Sequence, residues 1–337
     1  MNALKILETG AFENLRLSRV PKPTLAQGEA LVRVRAAGIN ASDAACVKGL
    51  LPVTTVPRIP GRDFSGEVVE VSDDAAKSDW LGAEVWGTGG TVGFRSDGTF
   101  AEYVNVPIAK LSHKPKALDH ARAASVTLSW QCAWIIVERL AEVKKGENVL
   151  ILGVRGSIGS NVAQLCMDRG AKVLGTYRTL EGITVPPGVM PILLPSSTDP
   201  STYPIRDAVT NLDLNDQIDV CVDCTGLEPL LNDAILAMRS NGTGRMIVMA
   251  AHRPDGLVAV NFRTLYSKAL TLKGLNSNAL SPAETKGVLD YVAERFNQGI
   301  FKAAEVDKVP MEDEKAVQEA LARVMARSAT KRTVILI

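Results

Sequence analysis

The turn Gly153-Val154-Arg155-Gly156-Ser157-Ile158-Gly159 carries the first chemistry to be read from this chain. It stands between a short apolar run at 148–152 and a stretch of helical apolar spacing at 158–169. A helix N-terminus presents unpaired N–H groups and the positive end of a dipole, so Ser157 and Ile158 can offer N–H groups to a pyrophosphate. Glycines let the backbone approach those phosphates and let helix pack on strand. The spacing is G-x-x-G-x-x-G rather than G-x-G-x-x-G, so the strand–turn–helix context carries the reading; a tight turn without a ligand is the alternative. About 20 residues further on, a second apolar run ends at Gly175-Thr176-Tyr177-Arg178. An acidic side chain there would bind a ribose hydroxyl, whereas an arginine meets a 2′-phosphate. Arg178 is the first charge, ahead of Glu181, which predicts NADPH, with Tyr177 stacking on adenine and Arg155 sharing the phosphate. A solvated surface arginine is the other reading of Arg178.

Metal and thiol chemistry finds less support. Cys46, Cys132, Cys166, Cys221 and Cys224 are scattered and odd in number, which argues against a disulfide framework and for a reducing compartment such as the cytoplasm. Cys221-x-x-Cys224 has a metal-like spacing, but it falls on a predicted strand, where residues three apart face opposite ways. It also lacks a partner pair, so two buried structural cysteines are expected. His113, His120 and His252 offer no evident acid, and His120 precedes a helix it is expected to cap. With 38 Lys+Arg against 37 Asp+Glu there is no global basic field, so neither nucleic acid nor an anionic membrane is an expected partner. The apolar runs are too short to span a bilayer. Lys5 and Glu8 interrupt any leader-like apolar segment. A hydrophobic fraction of 46% with 22% charged residues is that of a soluble globular chain, and 337 residues suggest about two domains.

The elements that must position these groups divide into two textures. Residues 1–120 are dense in Gly and Pro, with short β-branched or aromatic runs at 30–34, 66–71 and 100–106, as in a compact barrel or sandwich. Beyond Leu118 a helical pattern at 120–140 leads into the strand at 148–152, whose nearly all-apolar make-up suits a parallel strand buried on both faces. Further apolar strands at 172–176, 218–222 and 245–249 alternate with helix-like stretches at 158–169 and 229–239, which predicts a doubly wound parallel sheet. Pro186, Pro187, Pro191, Pro195, Pro200 and Pro204 crowd the place of the helix after the second strand, so a short or absent helix is expected there. The tail is helical at 281–297 and 312–325 and ends on the apolar run 333–337.

Five short motifs, in this order, resemble the zinc-independent, quinone oxidoreductase-like branch of the medium-chain dehydrogenases/reductases over essentially the whole chain. Ala36-Ala37-Gly38-Ile39-Asn40 followed by Asp43 resembles A-x-G-V/I-N-x-x-D. Pro60-Gly61-Arg62-Asp63-Phe64-Ser65-Gly66 resembles P-G-x-D-x-x-G, and Gly98-Thr99-Phe100-Ala101-Glu102-Tyr103-Val104 resembles G-x-x-A-E-Y-V. Asp219 to Gly226 resembles the strand beneath the nicotinamide, and Leu270-Thr271-Leu272-Lys273-Gly274 resembles L-T-L-x-G, where the chain returns to its first domain. The resemblance implies an α/β fold: a GroES-like β-rich catalytic domain from 1–122 and 273–337, and a Rossmann doubly wound domain at 123–272. The cofactor would lie in the cleft between them, and the family expectation is a homodimer through an edge strand of the Rossmann sheet.

The same resemblance places the zinc-ligand positions of other branches at Asn40, Arg62 and Leu128. An amide, a guanidinium and an aliphatic chain cannot bind zinc, and no cysteine lies between Cys46 and Cys132 to build a structural zinc lobe. Without a Lewis acid, alcohol oxidation is disfavoured. The implied activity is transfer of hydride from NADPH to a small electrophile, a quinone or an α,β-unsaturated carbonyl. The alternatives are a 2-enoyl-thioester reductase or a non-catalytic NADPH-binding protein. Leu51 stands where enoyl-thioester reductases carry a tyrosine, which weakens the first alternative and leaves solvent as the proton source. Asn40 is expected to donate to a developing enolate oxygen. Asp43 is expected to hold its loop by accepting backbone hydrogen bonds, with acid catalysis as its lesser role. Arg62 either stabilises charge on the acceptor's oxygen or pairs with Asp43 or Asp63. For the cofactor, the resemblance implies Gly153, Gly156, Ser157, Ile158, Gly159, Thr176, Tyr177 and Arg178 at the nucleotide. It implies Thr225, Ala250 and Asn276 about the nicotinamide, with Arg332 reaching it from near the terminus.

Overall fold

The computed structural model describes residues 1–194, 205–250 and 256–337. Two units are present: Met1–Gln131 with Ser277–Ile337, and Cys132–Asn276, which is inserted in the sequence of the first. The division falls within the helix His120–Trp134, which runs on as a π-helical turn, Ile135–Leu140; it lies nine residues past the boundary at 122 that the sequence suggests, and the chain returns at Ser277 rather than 273.

In the inserted unit six strands form one parallel sheet. They are Asn148–Leu152, Lys172–Tyr177, Val189–Leu193, Val220–Asp223, Arg245–Val248 and Thr271–Gly274. Numbered along the chain, their order is 3-2-1-4-5-6, and every pair is parallel. This is the doubly wound order of dinucleotide-binding sheets, with its switch point between the first and fourth strands. Asn148–Leu152 is buried at all five positions, as a strand covered on both faces requires. Leu150, Leu174, Cys221, Ile235 and Met246 share one core.

Among the described residues the proline-crowded stretch has no long helix, as expected, but it adds a strand. Residues 178–188 contain no helix, and a strand, Val189–Leu193, follows that the sequence does not announce. Pro191 sits on it in register with Gly175. The sheet tolerates it because this is the edge strand, where a missing N–H breaks no ladder on the outer side. Pro195, Pro200, Pro204 and His252 lie outside the described residues.

The other unit is β-rich. Its sheet runs Val306–Pro310, Arg332–Leu336, Glu29–Gly38, Asp63–Val71, Glu84–Gly87, Ser112–His113, and Tyr103–Pro107 pairs with the first half of Glu29–Gly38. All pairs are antiparallel except the first. Register sets the candidate site. Gly38 faces Asp63 on one side and Val334 on the other, so the residues after Gly38, before Asp63 and before Val334 gather at one end of the sheet. Asn40, Arg62 and Arg332 are therefore neighbours in the fold, although the sequence scatters them.

Candidate active site

In the inserted unit the glycine turn leaves the carboxyl end of the first strand and enters the helix Ser157–Asp168. Gly153 has φ +79°, a left-handed conformation that costs an L side chain energy, and a Cβ there would lie 2.9 Å from Thr225 Cγ2. At Gly159 a Cβ would come within 2.5 Å of Gly153 O, so helix and turn approach closer than any side chain allows. Gly153 N–H donates to Thr176 Oγ1 at 2.9 Å, which ties the turn to the end of the second strand. Arg155, Gly156 and Ser157 are exposed, and the first helical turn carries no acidic residue. Across the switch point the buried Asp223 accepts from the N–H groups of Thr225 and Gly226 and from Thr225 Oγ1. That fixes Thr225 against Gly153. These residues form a cradle for an anion at a helix N-terminus, and they fit a dinucleotide pyrophosphate.

Arg178 is exposed at the end of the second strand, with Arg155 exposed in the turn. Tyr177 is placed differently from the adenine-stacking role expected of it. It is 2% exposed and lies in the ladder opposite Leu193 of the unannounced third strand. Burial raises its phenol pKa, and the charge of Arg155 pulls it back. Ala250 and Asn276 follow the fifth and sixth strands on the same carboxyl edge, half-buried and exposed respectively. Cys224 sits one residue past its strand rather than on it. Burial pushes the thiols of both Cys221 and Cys224 upward, away from the thiolate a metal ligand needs.

In the β-rich unit the polar residues form one buried group. Asp43, in the first turn of the helix Ala41–Val47, accepts the Asn40 N–H at 2.8 Å and so closes the loop on itself. Asn40 Nδ2 donates to Asp63 Oδ2 at 3.0 Å, and Leu128 N–H donates to the same carboxylate. Two of the three former-ligand positions, Asn40 and Leu128, therefore meet at Asp63, although the three are not a zinc donor set. Among the described residues no group of three His, Cys, Asp or Glu side chains is placed to hold a metal ion. Arg62, 2% exposed, takes neither of its expected carboxylate partners. Its Nη2 donates to Asn278 Oδ1 at 2.6 Å and its Nη1 to Ser277 Oγ at 3.4 Å, while the guanidinium lies over Phe94 at 4.9 Å. Arg332 opens its strand half-buried, one residue before Thr333, whose carbonyl accepts the Ile39 N–H.

Burial perturbs this group strongly. Asp43 has no exposed surface, and its pKa rises to about 7. Desolvation is the main cause; the hydrogen bond from Asn40 opposes it, Asp63 adds to it and Arg62 opposes it. Lys110, which no sequence signal singled out, donates Nζ to Gly89 O at 2.7 Å, and burial followed by the charge of Arg62 brings its pKa down to about 8. Arg62, Thr88 and Lys110 line one small cavity. Among the described residues Asp43 Oδ1, Arg62 Nε, Thr88 Oγ1 and Gln131 Oε1 are buried without a hydrogen-bond partner. His120 joins Ser65 Oγ at 2.8 Å to Glu84 at 3.1 Å at the start of its helix, and His113 stacks on Trp80, so neither histidine belongs to the group.

Residues 26–116 match the alcohol dehydrogenase GroES-like domain. The chain is 31% identical to a zinc-type alcohol dehydrogenase-like protein of Schizosaccharomyces pombe, over 90% of this chain and 87% of that protein. It is 27% identical to the quinone oxidoreductase of Sus scrofa, over 100% and 98% of the two chains. Among solved structures, an alcohol dehydrogenase superfamily protein from Novosphingobium aromaticivorans superposes with a TM-score of 0.83 at 25% identity, over 100% of this chain and 99% of that one.

Proposed function

The chain belongs to the medium-chain dehydrogenase/reductase family, of the quinone oxidoreductase-like kind, and on that premise we propose that it is an NADPH-dependent, zinc-free reductase of quinones or α,β-unsaturated carbonyls. The observation that carries the reading is the strand order 3-2-1-4-5-6 with a glycine cradle at its switch point and Arg178, not a carboxylate, exposed at the end of the second strand.

The N–H groups of Ser157 and Ile158 bind the pyrophosphate, and the small residues Gly153, Gly156 and Gly159 leave room for it. Arg178 and Arg155 meet the 2′-phosphate with charge-assisted hydrogen bonds. Thr225, Ala250 and Asn276 line the nicotinamide end. When bound, the reduced nicotinamide supplies a hydride. In the β-rich unit Asn40 keeps one amide hydrogen beyond the bond to Asp63, and that hydrogen donates to the acceptor's oxygen as negative charge develops there. Asp63, held by Asn40 and Leu128, fixes the direction of that donor, and Asp43 fixes the loop that carries it. Zinc has no donor set at Asn40, Arg62 and Leu128, so acceptors already polarised toward hydride are the substrate class. Leu51 is packed against the core and offers no phenol, which weighs against an enoyl-thioester reductase and leaves water to supply the proton.

We further propose a cytoplasmic homodimer joined through the sixth strand. Among the described residues Thr271–Gly274 is a sheet edge, and shortly before it in the chain Phe262 and Tyr266 on the helix Phe262–Ser267 are 68% and 71% exposed, more apolar surface than a free helix face ordinarily shows water. No helix among the described residues is long and apolar enough to cross a membrane.

The test of the activity is steady-state NADPH oxidation with a panel of small quinones, enones and enoyl thioesters. Turnover of the first two classes supports the reading. Turnover of enoyl thioesters alone replaces it with the acyl reductase, and nucleotide binding without turnover of any acceptor leaves a binding protein.

A further inference from the structure

The guanidinium of Arg62 is nearly devoid of solvent and yet is not paired with a carboxylate, although Asp43 is near enough to feel its charge. A buried cation is costly, and a carboxylate would offset it better than two neutral oxygens do. The charge instead holds two residues, Ser277 and Asn278, with the shorter bond, 2.6 Å, to Asn278. Ser277 is held a second time, because Gln131 Nε2 donates to its carbonyl at 2.7 Å. The residue before Ser277 is Asn276, two positions past the carboxyl end of the sixth parallel strand. In an open parallel sheet that edge is where ligands bind, and the glycine cradle lies on it.

We propose that Arg62 is a positioning residue for the nucleotide: its guanidinium fixes Ser277 and Asn278 and, through the chain, sets Asn276 at the carboxyl edge of the parallel sheet. The inference rests on the reading that a nicotinamide nucleotide binds along that edge. It reassigns Arg62 from the acceptor's oxygen to cofactor affinity. Each NH2 group donates to the segment, Phe94 lies against a face of the guanidinium, and Nε is buried without a partner. Arg62 thus acts through Asn278 and touches no reacting atom.

The experiment is calorimetric titration of wild type, Asn278→Ala, Asn278→Asp, Arg62→Met and Arg62→Met/Asn278→Ala with NADPH, alongside amide exchange over residues 275–279. A hydrogen bond to a charged group is expected to matter by about tenfold in affinity. Asn278→Ala and Arg62→Met should each raise the Kd for NADPH by that factor, with faster exchange over 275–279. The double variant should be no weaker than Arg62→Met alone. Asn278→Asp still accepts the bond and should stay near the wild-type Kd, and the KM for the acceptor should change by less than about twofold throughout. The exposed position of Asn278 lets its two variants decide the matter if Arg62→Met does not fold. An unchanged Kd in Asn278→Ala overturns the proposal, as does a raised acceptor KM in Arg62→Met with a wild-type Kd for NADPH. A wild-type protein that binds no nicotinamide nucleotide overturns the functional reading itself, and this inference with it.

Discussion

A carboxyl group with no exposed surface and a pKa near 7 makes Asp43 titrate in the middle of the physiological range. Its pKa lies above the unfolded value of 3.8, so between about pH 4 and pH 7 the folded chain holds a proton the unfolded chain has released. Stability from this group is therefore full below pH 4 and is lost as the pH rises through 7. The most the shift can represent is about 4 kcal/mol. Asn at this position accepts the same Asn40 N–H without titrating. Melting temperatures of wild type and Asp43→Asn should diverge in favour of the variant from about pH 4 to pH 7 and run parallel above pH 8, and a constant offset at all pH values would contradict the assignment. At the nucleotide, Arg178 is expected to contribute on the order of 1.5–3 kcal/mol to 2′-phosphate binding, one to two decades in Kd. Arg178→Ala should weaken NADPH by that factor and leave NADH nearly unchanged, with Arg155 preserving a remnant of the preference. Equal weakening of both nucleotides would show that Arg178 serves the fold. The loop-holding role of Asp43 was legible because its acceptor and donor lie three residues apart. The partners of Arg62 were not, since Ser277 and Asn278 lie 215 and 216 residues away and neither forms a charge pattern with it.

Elements were legible where composition alone decides them. A strand buried at every position, such as Asn148–Leu152, needs an apolar run, and a helix after a glycine turn needs its N-terminus free, so both could be read directly. Val189–Leu193 could not, because proline excludes a central strand but not an edge strand, and which strand is at the edge is a property of the sheet. The same missing third strand hid the burial of Tyr177, whose neighbour in the ladder it supplies. At the opposite edge, Thr271–Gly274 pairs on one side only among the described residues, and two exposed aromatic rings precede it in the chain. Pairing of two such edges buries them both. Phe262→Ser/Tyr266→Ser should halve the sedimenting mass without lowering the NADPH affinity of the remaining species. A wild-type monomer at micromolar concentration would refute the dimer.

The chain combines an exposed arginine at the end of the second parallel strand with former-ligand positions that make no zinc donor set among the described residues. The Rossmann-type sheet and the GroES-like unit were both anticipated from ordered motifs, since the motifs of each unit mark turns at the ends of its own strands. The polar group around Asp63 was only half anticipated: Asn40, Arg62 and Leu128 were named, but not that Asp63 joins two of them. The most direct measurement is parallel titration of chelator-treated wild-type protein with NADPH and NADH, with metal content measured on the same sample before treatment. The expected result is no stoichiometric zinc, NADPH binding one to two decades tighter than NADH, and no change in either affinity or in quinone and enone turnover after chelation. Equal affinity for the two nucleotides, or stoichiometric zinc whose removal abolishes turnover, would contradict it.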